Sequence, residues 1–132
     1  MNALQQFLSE NPVDNVIHKC TISERLKAFE FEVKAITGGE YNDYQTRCII
    51  NPGSAKKRKF DSKRFNELIV VNHTINPSFK DAEWVKSAGC VDSVHLLYKT
   101  LLAGEINELA DVILKVSGFD KDFEEEVEEA KN

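Results

Sequence analysis

Cysteine and histidine are the side chains that most often hold a metal ion in proteins, and this sequence has three of each. Two pairs lie close together in the chain, His18 with Cys20 and Cys90 with His95. Neither pair has the spacing that is typical of two ligands in a zinc site. The sequence therefore predicts no metal site, and it gives no motif for another cofactor.

Catalysis by a nucleophile or on a phosphate group would need other signals. The sequence contains no Gly-x-Ser-x-Gly turn, which exposes a nucleophilic serine in hydrolases. Its one glycine pair, Gly38–Gly39, precedes Glu40, and a glutamate there would repel a phosphate group bound at the start of a helix. Surface carboxylates are numerous, but nothing distinguishes any of them as an acid–base pair. We therefore expect a protein that is not an enzyme.

Six basic residues lie within nine positions, opposed only by Asp61. Such a cluster, with Phe60 and Phe65 as stacking groups, is compatible with nucleic-acid binding. The chain as a whole carries a net charge of −5, which favours a solvated loop instead. A third interpretation is a docking surface for an acidic partner, such as the tail of another copy. We call this group the basic patch; its members are Lys56, Lys57, Arg58, Lys59, Lys63 and Arg64.

Residues 119–132, here called the acidic tail, combine acidic residues with apolar residues at helical spacing. Positions 120–132 hold seven acids against two lysines, and Phe119, Phe123 and Val127 form a narrow apolar stripe. The stripe is compatible with binding in a partner's groove, and equally with a solvated helix. Residues 1–66 carry a charge of +3 and residues 67–132 a charge of −8. This asymmetry predicts self-association that weakens as salt is added.

The elements that position these groups follow from hydrophobic spacing. Residues 16–22 and 28–36 alternate apolar and polar side chains, which predicts a hairpin of two antiparallel strands. In these strands Val16, His18, Cys20 and Ile22 would share one face, and Phe29, Phe31, Val33 and Ala35 would share another. The sequence thus predicts an α+β fold, with a small N-terminal antiparallel sheet packed by several short helices and a helical C-terminal half.

Capping residues mark where most helices begin. Thr37 and Glu40 have the spacing of a capping box, which predicts a helix over residues 38–49. Asp61 or Ser62, Asp81, and Asp92 or Ser93 are expected to cap three further helices. The first of these is expected to continue until Asn76–Pro77, and the strongest helical period covers residues 104–117. Residues 1–9 predict a short helix with Leu4, Phe7 and Leu8 on one side. Residues 55–60 predict a loop or a small surface hairpin.

The length of the chain and its lack of recognisable membrane and secretory segments restrict the class of protein. A chain of 132 residues predicts one domain, which we place at residues 1–118, followed by the acidic tail. The longest apolar run, residues 68–71, is far shorter than the roughly 20 residues of a membrane span. Residues 1–10 lack the pattern of a secretory signal, so we expect a cytoplasmic protein with reduced cysteines.

A series of short motifs resembles the XkdN-like tail assembly chaperones of phages and defective prophages of Gram-positive bacteria. Their order and spacing carry the resemblance, which is strongest over the second half of the chain. The motifs are Phe60-Asp61-Ser62 with Phe65-Asn66, Pro77-x-Phe79 followed by residues 80–83, Gly89-Cys90, residues 101–106, and Ser117-Gly118-Phe119.

The resemblance implies a non-catalytic protein without a cofactor that acts in the cytoplasm of the bacterial host. Proteins of this family bind the long tape-measure protein, keep it soluble while tail-tube subunits polymerise around it, and are absent from the mature particle. The resemblance supplies no binding positions, so candidate anchors come from the residues themselves. Phe79 and Trp84 flank a short helix, and they join Phe119, Phe123 and Val127 of the acidic tail as candidate partner-binding residues.

Overall fold

Short helices and short strands alternate along residues 1–119, the part of the chain that the computed structural model describes. The helices are α1 (Ala3–Glu10), α2 (Gly38–Arg47), α3 (Ser62–His73), α4 (Ala82–Ser87), α5 (Ser93–Thr100) and α6 (Ala103–Val116). The strands are β1 (Ile17–Cys20), β2 (Phe31–Lys34), β3 (Ile49–Ile50), β4 (Lys59–Phe60) and β5 (Thr74–Asn76), and a 3-10 turn covers Val13–Asn15. The predicted α+β class is confirmed.

Strand β2 is the centre of a three-stranded antiparallel sheet in the order β1–β2–β5. Its side chains alternate, so Phe31 and Val33 are buried while Glu32 and Lys34 lie on the outer face. The hairpin of β1 and β2 was predicted, but β5 was not. Helix α3 ends at His73 instead of continuing to Asn76, because Thr74 turns to an extended conformation and pairs with Val33.

The core lies between this sheet and helices α3, α5 and α6. One hydrophobic cluster joins the sheet to these helices, and its fully buried side chains include Val33, Ile69, Leu97, Leu109 and Ile113. The period predicted for residues 104–117 therefore does form a core helix. Burial of such side chains stabilises the fold by about 2 kcal/mol each.

Capping side chains start the helices where the sequence placed them. The Thr37 hydroxyl accepts a hydrogen bond from the Glu40 backbone N–H, and the Glu40 carboxylate accepts one from the Thr37 N–H, both at 3.1 Å. Asp61, Asp81 and Asp92 cap α3, α4 and α5 in the same manner. These bonds satisfy donors that a helix start otherwise leaves free.

Strands β3 and β4 form a second, two-stranded antiparallel sheet. The basic residues 56–59 lie in its connection and in β4, so the hairpin alternative for this stretch is the observed one. Asn51 turns the chain after β3 with φ of +56°, in the left-handed region that asparagine tolerates better than most residues. The Asn51 amide also donates to the Lys57 carbonyl at 3.2 Å, which holds the hairpin closed.

Two faces predicted for the first hairpin are only partly buried. Phe29 is 66% exposed, because β2 begins at Phe31 and the preceding residues form a turn. Val16 and His18 are exposed as well, although Ile22 is buried. Strand β1 lies at the edge of the sheet, where side chains are covered less than those of the central strand. Phe29, Val16 and His18 therefore lie outside the core.

Candidate functional site

Phe79 is not an exposed anchor, contrary to the reasoning from sequence. Its side chain is fully buried in the core, and Trp84 stacks on it with a ring separation of 5.4 Å and an angle of 28°. Trp84 itself is half-buried at the start of α4. The loop between β5 and α4 turns Phe79 inward, and Trp84 covers it from outside. A partner could reach the outer side of Trp84, but the Phe79 side chain is inaccessible in this conformation.

Phe119 is the last described residue and packs against the body of the protein. Its ring lies 5.0 Å from the ring of Tyr41, and its backbone N–H donates to the Leu114 carbonyl. With 39% of its surface exposed, it retains an accessible side. Phe123 and Val127, the other apolar residues of the acidic tail, lie outside the described residues.

All six side chains of the basic patch are exposed on the β3–β4 hairpin and the first turn of α3. Arg58 donates to the Pro52 carbonyl at 2.8 Å, and the Lys63 ammonium lies 5.5 Å from the centre of the Tyr98 ring. Within residues 1–119, none of the six forms a salt bridge. The patch is thus a surface of concentrated positive charge, opposed within positions 56–64 only by the Asp61 carboxylate.

Helix α1 presents an apolar surface that the sequence reasoning did not select as a site. Met1, Leu4, Phe7 and Leu8 are each at least 60% exposed, and α1 has no buried residue. Its first turn is held by a capping box between Asn2 and Gln5, with bonds of 2.8 and 2.9 Å. The apolar spacing was visible in the sequence. Its exposure depends on the rest of the fold, which the spacing alone does not show.

A groove beside the first hairpin offers a second apolar surface. The groove has a volume of about 430 Å³. Its apolar lining consists of Leu26, Ala28, Phe29, Phe31 and Pro77, and Glu30 and Asn76 line it as well. Phe29 is the most exposed of the large apolar residues in this lining. Aromatic side chains at the edge of an apolar groove are typical anchors in protein interfaces. This groove and the apolar face of α1 are therefore suited to apolar side chains of a protein partner.

The buried carboxylate of Glu105 has a structural role. It is 2% exposed and accepts hydrogen bonds from Ser23 at 2.6 Å, from Arg25 at 2.5 and 3.1 Å, and from the Leu102 N–H at 2.8 Å. The Arg25 guanidinium and these other donors lower the pKa of Glu105 to about 2. A carboxylate with this pKa is a poor base at neutral pH. Its role is to fasten the turn between β1 and β2 to the start of α6.

His73 and Tyr44 form a second buried polar contact. The His73 Nε2 atom lies 2.9 Å from the Tyr44 hydroxyl, and the His73 side chain is fully buried. Burial lowers the pKa of His73 in spite of the Glu40 carboxylate 3.9 Å away, which raises it. The imidazole is therefore neutral at pH 7, held between α2 and α3.

The described residues contain no group of three or more His, Cys, Asp or Glu side chains that could hold a metal ion. Burial raises the pKa of the Cys48 and Cys20 thiols, which keeps them protonated and poorly nucleophilic at neutral pH. Within residues 1–119, no helix has the length and apolar character needed to cross a bilayer.

A family profile and two relatives match this chain. The profile of the family described as "Phage XkdN-like tail assembly chaperone protein" matches residues 4–131. The Bacillus subtilis (strain 168) protein YqbN is 28% identical over 131 residues, covering 96% of this chain and 88% of YqbN. The XkdN protein of the phage-like element PBSX, from the same strain, is 30% identical over 81 residues, covering 61% of this chain and 55% of XkdN.

The fold is also similar to a solved structure. The crystal structure of YqbN superimposes with a TM-score of 0.69 and 25% identity, covering 91% of this chain and 99% of the YqbN chain. The family profile spans nearly the whole sequence, including the motifs around α3, α4 and α6. The resemblance seen in the sequence is confirmed, and the chain belongs to the XkdN-like phage tail assembly chaperones.

Proposed function

We propose that this tail assembly chaperone binds the tape-measure protein of its phage or prophage and keeps it soluble until tail-tube subunits enclose it. The role is non-catalytic and needs no cofactor. The chaperone acts in the host cytoplasm and is absent from the finished particle. Tail-tube proteins are secondary partners, and several copies associate along one long client.

The apolar face of α1 is the observation that carries this proposal. Leu4, Phe7 and Leu8 have the i, i+3, i+4 spacing by which an amphipathic helix binds an apolar groove or another helix. Burying each of them against a client would contribute about 2 kcal/mol. An eight-residue helix is marginally stable alone in water, so a partner would also stabilise α1 itself.

The groove beside Phe29 and the outer side of Trp84 offer further contacts for the same kind of client. A tape-measure protein is long and rich in helices with apolar faces. Several modest surfaces suit such a client better than one deep pocket, because avidity then comes from repeated weak contacts. Charged side chains around these surfaces keep the complex soluble.

Co-expression tests the proposal. A tape-measure protein from the same phage or prophage would be produced with the wild-type chaperone, with the double variant Leu4→Ala and Phe7→Ala, or alone, and its soluble fraction measured after centrifugation. We expect wild type to raise the soluble fraction several-fold and the double variant to lose most of this effect.

The matched control is Gln6→Ala with Ser9→Ala, which also places two alanines on α1 but spares its apolar face. It should act as wild type. Neither variant should change the free energy of unfolding by more than about 0.5 kcal/mol, because α1 has no buried residue. Equal solubilisation by the two variants would exclude α1 as the binding surface, and no effect of wild type would exclude the function.

A further inference from the structure

A pocket with a volume of about 420 Å³ opens between helices α3, α5 and α6, and we call it the helix pocket. Its apolar lining includes Leu101, Ala103 and Ile106. Asn66 and Asn107 line it as well, and their amides can donate or accept hydrogen bonds. An apolar interior with a few polar groups that orient the occupant is typical of a binding site.

Lys63 belongs both to the helix pocket and to the basic patch. In the described part of the chain, it is the only charged residue that lines the pocket. Its ammonium group lies 5.5 Å from the centre of the Tyr98 ring, which is a cation–π distance. The Tyr98 hydroxyl donates to the Glu67 carboxylate at 2.8 Å, which holds the ring in place. The pocket therefore has a positive end that is continuous with the patch.

The hairpin that carries the rest of the patch is fastened to the start of α3. The Asp61 backbone N–H donates to the Cys48 carbonyl at 2.7 Å, and the Phe60 ring lies 5.5 Å from the Phe65 ring. Six bases and one acid give positions 56–64 a net charge of +5. This charge is thus held next to α3 by contacts within the body of the protein, so the surface is formed before a partner arrives.

Charge and shape together indicate the kind of partner. A surface of this charge favours an anionic occupant, whereas an apolar pocket favours a side chain without charge. An amphipathic helix of a protein supplies both, with acids on one side and a leucine or aromatic residue on the other. A nucleic acid carries a negative charge at every nucleotide and would bring some of them against Glu67, while a peptide can keep its acids away from that carboxylate. The surface therefore favours a protein.

We propose that the basic patch and the helix pocket together bind an acidic amphipathic segment of a partner protein. One apolar side chain of the segment packs against Leu101 and Ile106, and neighbouring carboxylates pair with Lys63 and with the bases on the hairpin. Asn66 and Asn107 bind polar groups beside the inserted side chain. None of the described residues that line the pocket belongs to α1, so this surface does not depend on the proposed function.

Fluorescence anisotropy with designed peptides tests the proposal on the full-length protein. The probe is a fluorescein-labelled helical peptide with leucines along one face and glutamates elsewhere; two related peptides replace the leucines with serine or the glutamates with glutamine. We expect the probe to bind and each related peptide to bind about tenfold more weakly, because both kinds of contact contribute. Binding of the probe should also weaken at about 1 M salt, where the Debye length is only about 3 Å. A serine peptide that binds as tightly as the probe would exclude the pocket.

A charge-matched pair of variants locates the site. Ala103→Glu places a carboxylate in the lining of the pocket, at an exposed first-turn position of α6 where a helix tolerates an acid. Gly104→Glu adds the same charge one residue later, outside the lining, where an added Cβ has open space. We expect Ala103→Glu to weaken probe binding about tenfold and Gly104→Glu less than about threefold. Lys63→Gln should also weaken it severalfold, whereas Lys86→Gln, at an exposed position of α4, should not.

Three results would overturn the proposal. Equal binding by the Ala103→Glu and Gly104→Glu proteins would place the peptide elsewhere. Loss of binding in the double variant Leu4→Ala and Phe7→Ala, with retention in Ala103→Glu, would assign the peptide to α1. A single-stranded oligonucleotide of equal charge that binds more tightly than the probe would assign the surface to nucleic acid. The two proposals fail separately, because the co-expression test changes only α1.

Discussion

Replacing the buried Glu105 with glutamine should destabilise the fold. Glutamine keeps the shape but loses the charge that accepts two bonds from Arg25 and one from Ser23. It also places an N–H₂ group among donors that are buried at the start of α6. A hydrogen bond to a charged group contributes about 1.5 to 3 kcal/mol, and breaking a buried pair costs about 3 to 5 kcal/mol. Because Arg25 is half exposed and can be rehydrated, we expect a loss of about 3 kcal/mol at pH 7.

The loss should depend on pH with a defined sign. The pKa of Glu105 is about 2 in the folded protein and near its ordinary value of about 4.5 when unfolded. The carboxylate therefore contributes its full stabilisation above pH 4.5, and this contribution decreases as pH falls toward 2. The difference between wild type and Glu105→Gln should shrink over the same range.

Urea unfolding followed by far-ultraviolet circular dichroism measures both effects. With a slope of about 2 kcal/mol/M, a loss of 3 kcal/mol lowers the midpoint by about 1.5 M. Glu108→Gln is the control, because it makes the same change one turn later on an exposed position of α6. If the two variants unfold at the same midpoint, or if the difference at pH 3 is as large as the difference at pH 7, then Glu105 is not the fastening point described here.

Three further predictions concern the core and its margin. Phe79→Ala should cost about 3 to 5 kcal/mol in unfolding free energy, since the side chain is fully buried; a loss below 1 kcal/mol would mean that Phe79 is accessible after all. Phe119→Ala should cost about 1 kcal/mol of unfolding free energy through its contact with Tyr41, whereas Phe29→Ala should cost less than about 0.5 kcal/mol. Thermal unfolding of the two variants measures this order, and a larger loss for Phe29→Ala would contradict it. The free energy of unfolding should decline as pH falls below about 6.5, because burial lowers the pKa of His73 in the folded state and the unfolded state then binds the proton more readily. A His73→Gln variant with the same pH profile as wild type would contradict this cause.

Features set by neighbouring residues were predictable from the sequence. The capping box of Thr37 and Glu40, the caps at Asp61 and Asp92, and the stripe of α6 depend on spacings of three or four residues. A pattern at that range determines its own local structure, whatever the rest of the chain does. The hairpin of β1 and β2 was predictable for the same reason.

Features set by distant residues were not predictable. Strand β5 forms because β2 offers it an edge, and Glu105 is buried because Arg25, 80 positions earlier, folds over it. The burial of Phe79 depends on Trp84 and on the core behind it, so its isolated position in the sequence was misleading. The exposure of α1 was not predictable either. Its apolar stripe has the spacing of a helix that faces a core, but none of its residues is buried.

Hydrogen–deuterium exchange on the complex tests most directly that α1 is where this chaperone binds its client. In the free protein the amides of Ala3–Glu10 should exchange within seconds, because the helix is short and fully exposed. Bound to the co-expressed tape-measure protein, the same amides should become protected by at least tenfold, while those of α6 stay as slow as before. A complex in which residues 3–10 exchange as fast as in the free protein would contradict the account.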